Sequence, residues 1–306
     1  KLDFDNKTVW PKPDRLPEGF APQVILQKAK YPGLGIAALH AEGITGKGVR
    51  IAVIDQPPLL NHEEYCHAFE FYDNTRVPIA GPQMHGAALA SISVGKSCGV
   101  APEAKLHYYS VPMWESKNSF YTDSLNAIVD RNEKLPKEQH VRAVAISTAM
   151  FPMYPKYDEY KRAFARAWKA GVVVFTCQTL KSHKFSYCML NKRPGADADD
   201  YRSYTPVSWC PTKLHGKFSL WLPGGTRTVA GPDNPDEYDY SIDCGNSWGT
   251  PFLAGLSALA LQVNPQLTPD EIIELLLKTA VQADFGRIVN PAAFVKAAKS
   301  RKKKTK

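Results

Sequence analysis

Three side chains able to share a proton stand at the ends of regular segments in this chain: Asp55, His85 and Ser247. Asp55 closes the apolar run Val49-Arg50-Ile51-Ala52-Val53-Ile54. His85, followed by Gly86, opens the run Ala87-Ala88-Leu89-Ala90-Ser91-Ile92. Ser247 lies within Cys244-Gly245-Asn246-Ser247-Trp248-Gly249-Thr250-Pro251, just before an Ala/Leu/Gly-rich helical run. A hydroxyl at a helix start sits among free N–H groups that favour nearby negative charge. An imidazole that takes the hydroxyl proton, oriented by a carboxylate, turns such a serine into a nucleophile. Each residue alone has an ordinary structural role, as a strand-end turn, a helix-start histidine or an N-cap. Their joint occurrence carries the signal, because reacting groups in open parallel sheets gather at the C-terminal ends of strands and the adjoining helix starts.

The elements that must position them follow from the pattern of apolar residues. Continuous apolar runs at 49–55, 105–111, 141–147 and 171–177 predict strands, and amphipathic stretches at 85–96, 119–133 and 157–170 predict helices between them. That alternation predicts an α/β fold: a central, mostly parallel sheet covered by helices on both faces, with right-handed crossovers. A helix is expected from Gly35 to Glu42, ended by Gly43, Gly46 and Gly48, and two more at 247–263 and 268–281. Thr268-Pro269-Asp270-Glu271 supplies an N-cap, a proline at N1 and acids in the first turn for the last of these. Residues 1–33 are Pro-rich and read as an irregular N-terminal extension, and 179–240 read as a loop region with a few antiparallel strands, at 216–222 and 226–230. One domain is expected over 34–298, followed by a basic, disordered tail at 299–306.

Composition narrows the function. The 306 residues are 44% hydrophobic and 22% charged, ordinary for a globular protein. No apolar run approaches the ~20 residues that span a bilayer. The formal charge is +8, and about +2 remains once the basic tail is set aside. With no interleaved aromatics, the tail reads as a solvated end and no nucleic-acid partner is expected. The cysteines Cys66, Cys98, Cys177, Cys188, Cys210 and Cys244 form no Cys-x-x-Cys pair and fit neither a zinc ribbon nor a dense disulfide scaffold. This leans towards a reducing, cytoplasmic setting over a secreted one. Cys177 reads as a core thiol and Cys244 as a buried structural one. His62, Cys66 and His67 lack a complementary ligand pair, so that segment reads as solvated and no metal site is expected.

The motifs Gly46 to Asp55 (GKGVRIAVID), His85-Gly86, Gly99 to Lys105 (GVAPEAK), Gly245 to Gly255 and Gln262 to Ala280 (QVNPQLTPDEIIELLLKTA) resemble the subtilisin-family (subtilase) serine peptidases over roughly residues 34–281. The resemblance implies a three-layer subtilisin-like fold and a serine endopeptidase acting through Asp55, His85 and Ser247 on a peptide or protein substrate. It implies that Ser147-Thr148-Ala149 pairs with an extended substrate, and that the Ser247 N–H is one oxyanion donor. No cofactor is required; the family often holds structural calcium, but no motif here indicates it. The chain departs from the pattern in several places. Gln56, Pro57 and Pro58 follow Asp55; Asn246, Trp248 and Gly249 flank Ser247 where the family has Thr, Met and Ala. The family's oxyanion asparagine has no counterpart after the strand at 171–177, leaving Gln178 or Thr179 as the donor. Losing such a donor costs on the order of 3–4 kcal/mol, a figure measured on subtilisin itself. The alternative is therefore a slow or inactive pseudoenzyme that binds peptides or signals.

Overall fold

The apolar run ending at Asp55 is strand β2 (Arg50–Asp55), buried from Ile51 onward, which explains why it lacks polar alternation. The computed structural model describes residues 2–115, 117–177, 185–211 and 218–301. β2 sits at the centre of a five-stranded parallel sheet with β3 (Phe69–Asp73), β4 (Lys105–Ser110), β5 (Val141–Ile146) and β6 (Val173–Thr176), in the order β3-β4-β2-β5-β6. Helices α4 (Asn118–Glu133) and α5 (Tyr157–Lys169) pack together against β5 and β6, while α3 (Met84–Val94) and α6 (Gly249–Val263) pair and pack against β2. From β2 the chain passes to β3 and β4 on one side, then crosses to β5 on the other. The crevice between the C-terminal ends of β2 and β5 is thus a topological switch point, where α/β folds place their ligands.

α3 and α6 are apolar all round, and both are buried along nearly their whole length. α5 has the opposite design: Tyr160, Ala163, Phe164, Ala167 and Trp168 are buried at helical spacing and its charged residues face water. α2 (Ile36–Ala41) precedes β2, and α7 (Pro269–Lys278) starts at Thr268 with a full capping box to Glu271.

Three regions depart from expectation. The N-terminal segment is ordered: β1 (Asp3–Asp5) and α1 (Pro22–Ala29) pack with β10 (Arg227–Ala230) and β11 (Tyr238–Ser241), in a three-stranded antiparallel sheet ordered β1-β11-β10. Phe4, Leu26, Ala29, Cys98, Tyr238 and Tyr240 form a second small core there. The region after residue 184 is a mixed sheet, with β7 (Ser186–Lys192) parallel to β9 (Ser219–Pro223) and antiparallel to β8 (Tyr204–Pro206); β12 (Val281–Ala283) and β13 (Gly286–Ile288) extend it. Cys188 and Cys210 form a disulfide that ties β7 to the loop after β8, a pairing the cysteine spacing did not suggest. Lastly, α8 (Pro291–Ser300) runs to Ser300, and Arg301 pairs with Glu271 and Glu274, so the start of the expected tail is helical and anchored. Residues 302–306 lie outside the described residues.

Candidate active site

Asp55 ends β2 and is wholly buried. The turn after it is held by its carbonyls. Gln56 O accepts from the Tyr108 hydroxyl at 2.6 Å, and Pro57 O accepts from the Gln83 N–H at 2.8 Å. The prolines thus cost N–H groups but not acceptors. Gly86 lets α3 approach this turn: a Cβ there would overlap Gln56 O and come within 2.7 Å of Pro57 O. Close contact between the start of α3 and the end of β2 brings two residues thirty positions apart together. His85 Nδ1 donates to Asp55 Oδ1 at 2.6 Å, and the Gln56 N–H donates to the same oxygen at 2.8 Å. Nδ1 therefore carries the proton and Nε2 is left to act as a base. Burial disfavours the imidazolium, but the charge and hydrogen bond of Asp55 outweigh it and raise the His85 pKa above its ordinary value.

Ser247 sits in a single 3₁₀ turn, Asn246–Trp248, that leads into α6. Trp248 is buried with its ring 5.7 Å from that of His85. Gly249 lies against the Tyr187 ring, which a Cβ would overlap. That contact explains the glycine: the room a small side chain needs is filled by Tyr187, whose hydroxyl donates to Asn246 O at 2.9 Å.

Ser147 follows β5 directly. Its Oγ donates to Ser247 O at 3.0 Å and shares a 2.5 Å hydrogen bond with the Thr250 hydroxyl, while its own carbonyl accepts from the Ser247 hydroxyl at 3.2 Å. Thr148 O accepts from the Cys177 N–H at 3.1 Å, so the chain just past β5 stays beside the end of β6.

Asp55 and His85 are joined by a direct bond, and His85 and Ser247 line one cavity of about 560 Å³. Among the described residues no hydrogen bond links Ser247 to His85; the serine hydroxyl is turned to Ser147. Gln178 and Thr179 lie outside the described residues. Cys177 is not a core thiol. It follows β6 immediately, half-buried, with its Sγ against the hydroxyls of Ser247 and Tyr187, and burial pushes its pKa up to about 12. Cys244 is buried, lines the cavity, and burial likewise pushes it up to about 12. His62 is buried rather than solvated and bonds Glu237 O through Nε2 at 2.7 Å.

Sequence reasoning missed Tyr187 and the carboxylates of β1 and β11, because both fall in segments read as irregular. Asp5, Glu237 and Asp239 can each offer one carboxylate oxygen within 4.8 Å of the others, the group of described residues best placed to approach a cation.

No protein-family model matches the chain. Serine protease AprX of Bacillus subtilis (strain 168) is 27% identical over 277 residues, covering 78% of this chain and 62% of AprX. The subtilisin-like protease PopC of Myxococcus xanthus (strain DK1622) is 23% identical over 284 residues, covering 81% of this chain and 58% of PopC. The chain thus spans about 60% of the length of the curated relatives it matches. A cold-adapted subtilisin-like serine proteinase superposes with a TM-score of 0.60 at 18% identity, over 80% of this chain and 89% of that structure. The α/β architecture is that of the subtilisins.

Proposed function

We propose that this chain, a divergent member of the subtilisin family, is a serine endopeptidase in which Ser247 is the nucleophile, His85 the general base and Asp55 the residue that orients it. The observation that carries this reading is the 2.6 Å bond from His85 to a fully buried Asp55, with Ser247 on the wall of the same cavity. Rotating Ser247 about its Cα–Cβ bond, from one staggered well to another, frees its hydroxyl from Ser147 O. Catalytic hydrogen bonds are often loose before substrate binds. Ser247 Oγ attacks the peptide carbonyl while His85 Nε2 takes its proton. The carbonyl re-forms as the amine leaves with that proton, and water repeats the sequence on the acyl-enzyme. The Ser247 N–H, with Gln178 or Thr179, steadies the oxyanion. Residues 147–149 pair with the acyl side of an extended substrate by main-chain hydrogen bonds. The binding-only alternative draws no support from AprX and PopC, which are named as proteases.

Incubation of the purified chain and its Ser247→Ala variant with unfolded casein tests this. Fragments are expected with the native chain and none with the variant. Equal cleavage by both rules out Ser247 as the nucleophile.

A further inference from the structure

The cavity that holds Ser247 and His85 extends past Trp248 to the small sheet built by the N-terminal segment. Its far wall carries four carboxylates, Asp3 and Asp5 of β1, Asp239 of β11 and Asp243, and no lysine or arginine among the described residues that line it. Met84, which is 50% exposed, and Trp248 supply apolar surface in the same cavity. Asp5 and Asp239 are directly opposed in the β1–β11 register. Like charges so placed cost stability, so the fold gains nothing by holding them together. Among the described residues the Asp5 carboxylate accepts from the Lys7 N–H and the Thr8 hydroxyl and makes no ion pair, and Asp239 has no hydrogen-bond or ion-pair partner. Low-dielectric walls focus the field of such groups into the cleft.

The side of the substrate that meets this wall follows from the chemistry. His85 returns its proton to the leaving amine, so the leaving chain passes His85. The strand proposed for the acyl side, 147–149, does not line this cavity.

We propose that this cavity is the leaving-group subsite, in which Asp5 and Asp239 select a lysine or arginine directly C-terminal to the bond cut. The inference rests on the endopeptidase reading and adds to it a substrate class. The aliphatic stem of the basic residue lies along Met84 and Trp248 and its charged head reaches the carboxylates, as long cationic side chains do at apolar surfaces. The N-terminal segment is then part of the specificity machinery, since β1 supplies half of the acidic wall.

The test is digestion of a proteome-derived peptide library by the native chain, with mass spectrometry to read the residue that begins each new fragment. Lysine and arginine are expected there about tenfold more often than glutamate, a ratio that falls in 0.5 M salt and in Asp5→Asn/Asp239→Asn. If the double variant fails to fold, Asp5→Asn alone and the salt series carry the test. Digestion with excess EDTA distinguishes the two cationic occupants. Retained selectivity supports the subsite; loss on chelation assigns the carboxylates to a metal ion and overturns it. A native profile indifferent to charge after the cut, or one unchanged in the variants, overturns it too. Should no peptide be cut, the endopeptidase reading fails, and the subsite is judged separately by fluorescence anisotropy. Ser247→Ala is expected to bind a labelled decapeptide carrying lysine about tenfold more tightly than its glutamate twin, and equal affinity overturns the subsite.

Discussion

At the scale of single residues, everything turns on how Asp55 sets the state of His85. Burial alone would keep the imidazole neutral, but the Asp55 charge prevails and raises its pKa. Because the base must be unprotonated, the acid limb of the kcat/KM profile is expected above the ordinary histidine value of about 6.5. In Asp55→Asn the raising influence goes and burial remains, so the limb moves to lower pH while kcat falls on the order of 10⁴-fold. Stopped-time peptide assays from pH 5 to 9 read both effects; a limb that stays put would separate Asp55 from the base. The second oxyanion donor is a further test. Replacing the true donor, Gln178 or Thr179, by Ala is expected to lower kcat by about 10²–10³ with little change in KM, while the other variant stays near native. Asp55, His85 and Ser247 stand out in the chain because each borders a strongly patterned segment. The side chains around Ser247 could not. Cys177 looked like the end of a strand, and its proximity to Ser247 depends on how β6 packs against α6.

At the scale of elements, the site depends on one close approach, that of α3 to the end of β2. Gly86→Ala tests it. Alanine is the better helix former by about 1 kcal/mol, yet its Cβ would overlap Gln56 O and press on Pro57 O. Overpacking against backbone costs about 1–3 kcal/mol and outweighs the propensity gain. The variant is expected to unfold at lower denaturant and, with His85 displaced from Asp55, to lose about 10²-fold in kcat. A more stable Gly86→Ala variant with native activity contradicts this picture. Strands β2, β4, β5 and β6 and helices α3 to α7 were legible because buried parallel strands and amphipathic or wholly apolar helices leave long, regular patterns. β3, β11 and β1 were not, for a common reason. They are short or lie on partly exposed edges, and their pairing is decided by distant partners such as Asp5 with Asp239.

At the scale of the whole molecule, the N-terminal segment is bound to the fold by a core of its own. Phe4 is buried against Tyr240, with ring centroids 5.0 Å apart, and against Trp10 at 5.2 Å. Phe4→Ala is expected to cost about 3 kcal/mol, seen as a lower urea midpoint. Native stability in that variant would mean that the segment contributes little. The same sheet gives stability a pH signature. Burial, followed by the charges of Glu237, Asp5 and Asp233, pushes Asp239 up to about 6, above its unfolded value of about 3.9. The folded state therefore holds that proton more tightly, and this group's contribution to stability falls as pH rises from about 4 to 6. Urea midpoints of the native chain and Asp239→Asn, compared at pH 4.5 and 6.5, should diverge as the pH rises, with the variant gaining. Parallel behaviour would contradict it.

The most direct measurement is site-mapped labelling by a fluorophosphonate, which reacts only with a serine activated as a nucleophile. A single adduct is expected on the peptide containing Ser247, lost in His85→Ala even though the serine is still present. An adduct elsewhere, or equal labelling of Ser247 without His85, would contradict the account.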